Sequence, residues 1–341
     1  MKYLSAFFLM FLFFNPFHTQ AQLDFRDCYH PIINKAELAI TAYDYQQALK
    51  LYQQAFGAVE TGFGRDYQNA ALCAIELEKY DQAIAFLEKL VAKGVAKAYF
   101  EENRARYGKL DGHGYDAFLD RYDEIRAATF DQTTNPEVIA RLNEMSTRDQ
   151  MFRHEFETYR DTIWKIDAEN AAELVDIVDE YGFPSDEMIG LFSPTANNQD
   201  YHLIFVHQMK NWKSDTTLID LRPMVMDAVR QGKMSPERAA VYLDFAESRI
   251  GGIGGYGSSG IIKFGRAPEF YLFDYVGERR ETINANRSQI GLFDLDDLES
   301  KLRFLFITEE QNSKFKLLDM GAAVHNYPKE VKSRLELKVL E

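Results

Sequence analysis

Asp149 and Arg153 stand four residues apart in a stretch of helical periodicity. That spacing puts a carboxylate and a guanidinium on one helix face, within ion-pair reach. With Gln150 beside them they could clamp a charged ligand; the plainer reading is a structural pair that fixes the helix to its neighbours. His207 ends the apolar run Leu203, Ile204, Phe205, Val206 and so borders core. An imidazole there can act as a general base near neutral pH, although a hydrogen-bonded core histidine fits the same pattern. Asp244 is, with Asp149, a candidate for the carboxylate that orients it. Residues 251–260 hold six glycines, with Tyr256 embedded among them and Gly257 and Ser258 following it. The N–H groups of such a run can cradle an anion, with the Ser258 hydroxyl as a further donor; a tight connection between helix and strand needs the same glycines. Arg287, in the run Ile-Asn-Ala-Asn-Arg-Ser-Gln-Ile-Gly-Leu at 283–292, completes the candidate binding residues.

Several chemistries are disfavoured by context. Residues 252–257 satisfy Gly-x-Gly-x-x-Gly, yet the run follows a predicted helix and precedes a predicted strand, whereas a dinucleotide loop follows a strand and opens a helix. His202 lies about 140° round a helix from His207, and no His-Glu-x-x-His occurs, so neither a metal nor a cofactor is expected.

Two kinds of element must position these groups. In the first half, Tyr43-Asp44-Tyr45-Gln46-Gln47-Ala48-Leu49-Lys50-Leu51-Tyr52 recurs 35 residues later as Glu78-Lys79-Tyr80-Asp81-Gln82-Ala83-Ile84-Ala85-Phe86-Leu87. The period and the aromatic-x-x-Ala-x-x-x-aromatic spacing are similar to tetratricopeptide repeats, over residues 33–94; such repeats stack helical hairpins, with small residues allowing close approach. Asn135-Pro136 pairs a cap with a first-turn proline. It predicts a long helix carrying Ile139, Leu142, Met145 and Phe152 inward. Leu174, Ile177, Val178 and Tyr181 predict another, stopped by Gly182 and Pro184, and Ser235-Pro236 opens a third. Residues 261–264 and 269–276 are short and aromatic or β-branched, hence strands, and 294–305 return to helix. The expected fold is mainly α: an N-terminal helical-hairpin stack over 22–130 and a mostly helical α+β domain with a small sheet over 131–341.

Asp149-Gln150-x-x-Arg153, Gly182-x-Pro184, His207, Asp244, Tyr256-Gly257-Ser258 and the 283–292 run follow one another in an order that resembles a bacterial family known as a domain of unknown function, number 6624. The resemblance covers residues 138–305 and implies a domain without implying a reaction. The chain departs from that family's pattern at Phe183, Val206, Met209, Phe245, Gly254 and Ser259, most of which replace polar groups. If those groups form the family's site, this chain carries an altered one.

Residues 1–21 read as a secretory signal peptide, with Lys2, an apolar stretch from Tyr3 to Phe14, and a cut after Ala21. Cleavage removes one lysine and takes the net charge from −14 to about −15. So acidic a surface argues against nucleic acid, and no later segment has the length of a membrane span, so no membrane insertion is expected. The expected location is periplasmic or secreted. Cys28 and Cys73 leave one disulfide open, and the oligomeric state is left open as well. The first functional reading is an extracytoplasmic binding or scaffold protein that takes a protein or peptide partner through its helical repeats. The alternative is a hydrolase of peptide, cell-wall or glycan material with a His/Asp/Arg site.

Overall fold

A left-handed turn, used twice, shapes the first half of the chain. Helices α1 (Phe25–Cys28), α2 (His30–Thr41), α3 (Tyr45–Ala58), α4 (Gly64–Glu76) and α5 (Tyr80–Ala92) pack in chain order. Between α2 and α3, and again between α4 and α5, a non-glycine residue takes positive φ: Tyr43 at 59° and Glu78 at 58°. Just beyond each, an N–H reaches back to a carbonyl in the preceding helix, Asp44 to Ala39 at 2.9 Å and Lys79 to Ala74 at 2.8 Å. This is the six-to-one closure of a helix C-terminus, where glycine usually sits. Ala48, Tyr52, Ala83 and Leu87, the matched positions of the two motifs, are all sealed in one core.

The computed structural model describes residues 23–194, 196–197, 201–211, 218–247, 254–258, 261–264, 269–307, 314–319, 325–327, 332 and 336–340. Residues 1–21, expected to be a signal peptide, and positions 251–253, 259 and 260 of the glycine run lie outside these. The first half continues through α6 (Lys97–Glu102), a 3-10 segment (Arg104–Leu110), α7 (Tyr115–Asp120), α8 (Tyr122–Ala128) and α9 (Phe130–Thr133). Cys28 and Cys73 are free thiols, and burial raises the pKa of Cys73.

The second half opens as its cap predicts. Asn135 Oδ1 accepts from Glu137 N–H at 3.1 Å and Val138 N–H at 3.2 Å, ahead of α10 (Pro136–Gln150). Leu142 and Met145 face inward. Phe152, expected on the same inner stripe, lies past the end of α10 and packs on Tyr159 at 4.8 Å. A 3-10 segment (Arg153–Glu155) leads into α11 (Phe156–Tyr181), which ends at Gly182 with φ 83°. Then follow α12 (Asp186–Ile189), a two-stranded ladder of β1 (Leu191–Ser193) and β2 (Ala196–Asn197), α13 (His202–Asn211), α14 (Arg222–Arg230) and α15 (Pro236–Glu247). α10, α11 and α13 pack on one another around Leu142, Leu174 and Phe205.

The expected small sheet is present and larger than the two predicted strands. β3 (Ile262–Phe264) and β4 (Tyr271–Phe273) pair antiparallel; β5 (His325–Tyr327) joins β3 in parallel and β6 (Leu337–Val339) joins β4 antiparallel, in the order β5-β3-β4-β6. α16 (Gly277–Gln289) and α17 (Leu295–Phe306) fall between β4 and β5. Among the described residues no helix is long and apolar enough to cross a membrane.

The N-terminal core is completed by residues remote in sequence. Leu191, Phe304, Phe315 and Leu317 belong to it, and Phe315 stacks on Tyr45 with ring centroids 5.6 Å apart. Charges are buried here too. Lys301 Nζ meets Glu37 Oε2 at 2.6 Å, Arg65 meets Glu37 at 3.2 Å and Glu237 at 2.5 Å, and Tyr29 donates its hydroxyl to Asp66 at 2.8 Å. Burial pushes the Glu37 carboxyl up and the Lys301 ammonium down. Burial would also raise Glu237, but the Arg65 guanidinium overrides it and holds the carboxyl at about 2.

Candidate functional site

Three helices bring one acid–base cluster together. Asp149 sits in the last turn of α10, Asp167 on the inner face of α11 and His207 on α13, while Arg153 reaches back from the 3-10 segment that joins the first two helices. The Asp149–Arg153 pair therefore forms across a helix end rather than along one helix, with Nη2 to Oδ1 at 2.7 Å and Nε to Oδ2 at 3.2 Å. The same Nη2 donates to Asp167 Oδ1. His207 Nδ1 lies 2.9 Å from Asp149 Oδ1, and Gln150 Nε2 donates to Asp149 Oδ2 at 2.5 Å. Behind the cluster, Asn170 Oδ1 accepts from Arg148 at 2.6 Å, and its Nδ2 donates to the Met145 carbonyl at 3.2 Å, which ties α11 to α10.

Burial differs within the cluster in a way that bears on chemistry. The Asp149 and Asp167 side chains are 1% and 3% exposed, those of Arg153 and His207 17% and 20%. Burial raises the carboxyl pKa of Asp149, but hydrogen bonds from His207 and Arg153 outweigh it and bring the value down to about 2. Asp167 goes the other way: burial pushes it up, and Arg153 offsets that only in part. Asp167 Oδ2 is buried without a hydrogen-bond partner. An ionised Asp149 thus holds one ring nitrogen of an imidazole whose opposite nitrogen faces away from the carboxylate. His154, one residue beyond Arg153, is exposed and pairs with Glu155.

The remaining candidates form a second group with a different role. Asp244 is buried on α15, and its two oxygens accept from Tyr256 N–H at 2.8 Å and Ser258 N–H at 2.7 Å. Two amides of the glycine run, those of Tyr256 and Ser258, are therefore spent on the protein's own carboxylate. Arg287 is buried, donating to the Tyr256 carbonyl at 2.8 Å and the Phe293 carbonyl at 2.6 Å. Burial lowers its pKa to about 10. Tyr256 is buried in the second core, and Gly257 turns the chain at φ 57°. Asp244 is thus a loop anchor, and the carboxylate that touches His207 is Asp149. Gly254 also has a local reason: a Cβ there would fall 2.2 Å from Asp244 Oδ1, so a larger residue does not fit this backbone.

Asp167 was missed by sequence reasoning although a signal exists. Ile163, Ile166, Asn170, Ala171 and Leu174 make a buried helical stripe, and an aspartate inside such a stripe needs a partner. Comparison with family models, with curated proteins and with solved structures found no match to this chain.

Proposed function

We propose that the protein is an extracytoplasmic hydrolase of peptide, cell-wall or glycan material, with His207 as general base. The observation that carries this is the 2.9 Å contact between His207 Nδ1 and Asp149 Oδ1 in a side chain still one-fifth open. The Asp149 carboxylate accepts the Nδ1 proton and leaves Nε2 as the basic nitrogen, which can take a proton from water and return it to the leaving group. Arg153, tied to both carboxylates, is a positioning residue. Trp164 lies three residues before Asp167 on α11 and is 48% exposed. Its ring offers an apolar face to a sugar or peptide. Four of the positions that carry the resemblance to the uncharacterised family, Asp149, Gln150, Arg153 and His207, fall in this one cluster, which supports reading it as a site.

The test is turnover of cell-wall sacculi, peptides and glycans by the purified protein and by His207→Gln. The expected result is hydrolysis of one of these classes, lowered about 10²–10⁴-fold in the variant with an unchanged melting temperature. Turnover retained by His207→Gln, or no turnover of any of the three classes by the wild type, would falsify it.

A binding or scaffold role through the helical hairpins is the second reading. It is favoured by an open cleft of about 530 Å³ between residues 78–82 and 112–114, where Tyr80 stacks on His113 at 4.1 Å. Capture of one protein or peptide from envelope extracts, lost in Tyr80→Ser, is the expected outcome of that reading.

A further inference from the structure

We propose that Asp149, Asp167 and His207 form a site for one divalent transition-metal cation, and that the Arg153 guanidinium competes with the cation for that site. Each of the three residues offers one ligand atom, and these atoms all lie within 4.8 Å of one another. Ligands sharing a cation at about 2.0–2.2 Å from it can be no more than roughly 4 Å apart, so a small inward movement of side chains completes the set. The second observation is independent of that clustering. Asp167 Oδ2 is sealed from solvent and has no donor, although a buried carboxylate oxygen normally finds one. A cation shared with Asp149 and His207 would give the Asp167 carboxylate a second partner besides Arg153.

The donor set indicates which ion. One imidazole nitrogen and two carboxylates suit Zn²⁺ or Mn²⁺ better than a thiolate-seeking ion or one that prefers oxygen alone. The sequence pattern, with no second histidine on the His207 face, points away from a metal. The third ligand comes instead from α11, outside every motif singled out in the sequence.

Arg153 makes the proposal specific. Its Nη2 donates to both Asp149 and Asp167, so its positive charge stands where the cation's charge would be needed. It hangs from a three-residue 3-10 segment and its side chain is 17% exposed, which leaves the guanidinium a short path into water. Entry of a dication therefore requires Arg153 to withdraw, and its removal should tighten binding. His207 serves as base in the metal-free cluster held by Arg153; with the cation bound it would instead be a ligand, and bound water would be acidified by the metal. The proposal rests on the same site as the hydrolytic reading, but binding is read without substrate, so each can fail alone.

The experiment is equilibrium dialysis of the purified protein against Zn²⁺ and Mn²⁺, counting bound metal by mass spectrometry, with circular dichroism as the check on folding. One equivalent is expected, weakened at least about tenfold by Asp167→Asn and tightened about tenfold or more by Arg153→Gln. His207→Gln replaces Asp167→Asn should that variant not fold. The proposal is overturned if neither wild type nor Arg153→Gln binds either ion at about 1 mM. It is equally overturned if Arg153→Gln binds no tighter, or if loss of Asp167 or His207 leaves affinity intact. Turnover that depends on His207 without any metal binding would leave the base reading standing alone.

Discussion

Two clusters of the same make-up in charge, two carboxylates with basic partners, are put to opposite use. Around Glu37, Arg65, Glu237 and Lys301 the charges are closed in: Lys301 is 0% exposed, Glu37 1%, Arg65 7% and Glu237 12%, and the four residues come from four helices in both halves of the chain. Around Asp149, Asp167, Arg153 and His207 the carboxylates are equally buried, but the two groups that could move a proton or make way for a ligand reach solvent. Composition does not separate a structural ion cluster from a candidate site. Access does.

The largest effect is expected at the closed cluster. Lys301→Met leaves Glu37 without its nearest cation and should cost about 3–5 kcal/mol in urea unfolding, while the double variant with Glu37→Met recovers most of it. An equal loss in single and double variants would break the comparison, since the pair would then matter through shape rather than charge.

Next comes His30, packed against Tyr29 and Phe63 beside the closed cluster, with a buried Nε2 that has no partner. Burial lowers its pKa from 6.5 to about 3. Below pH 6.5 the unfolded chain binds a proton that folded His30 refuses, so stability falls as pH drops toward 3, by up to about 1.4 kcal/mol per pH unit. His30→Gln should flatten that limb of the pH–stability curve, and a parallel curve would show that the acid sensitivity arises elsewhere.

A smaller cost, about 1–3 kcal/mol, is expected for Gly254→Gln, because its Cβ would collide with Asp244 Oδ1. A neutral result in thermal melting would mean that the loop yields and that Asp244 anchors it loosely. His207→Gln should change stability least, by under about 1 kcal/mol, since its ring is partly solvated. A loss comparable with that of Lys301→Met would place His207 with the structural charges.

Legibility in the sequence followed locality. Asn135-Pro136 announced α10, Gly182 ended α11, and the 35-residue echo located two turns of the same build, because caps and turns are decided by a few adjacent residues. Asp149, Arg153 and His207 were found because each stood out against its local pattern. Asp167 escaped because only α11 packing on α10 brings it to the others. The same holds for β5 and β6, which have partners far earlier in the chain. The contacts of Asp244 were not legible for a related reason: its two oxygens hold backbone amides 12 and 14 residues further on.

The way the first core is closed also sets an order of events during synthesis. Glu37 meets Lys301 across 264 residues, and Asn69 holds the backbone of Lys316 across 247. Such contacts form late and carry a large loop-closure entropy. The early hairpins therefore leave the ribosome with Tyr45 uncovered and Glu37 lacking its lysine partner, and they stay so until the chain has been made to about Leu317. Until then the apolar surface that Phe304, Phe315 and Leu317 complete stays open.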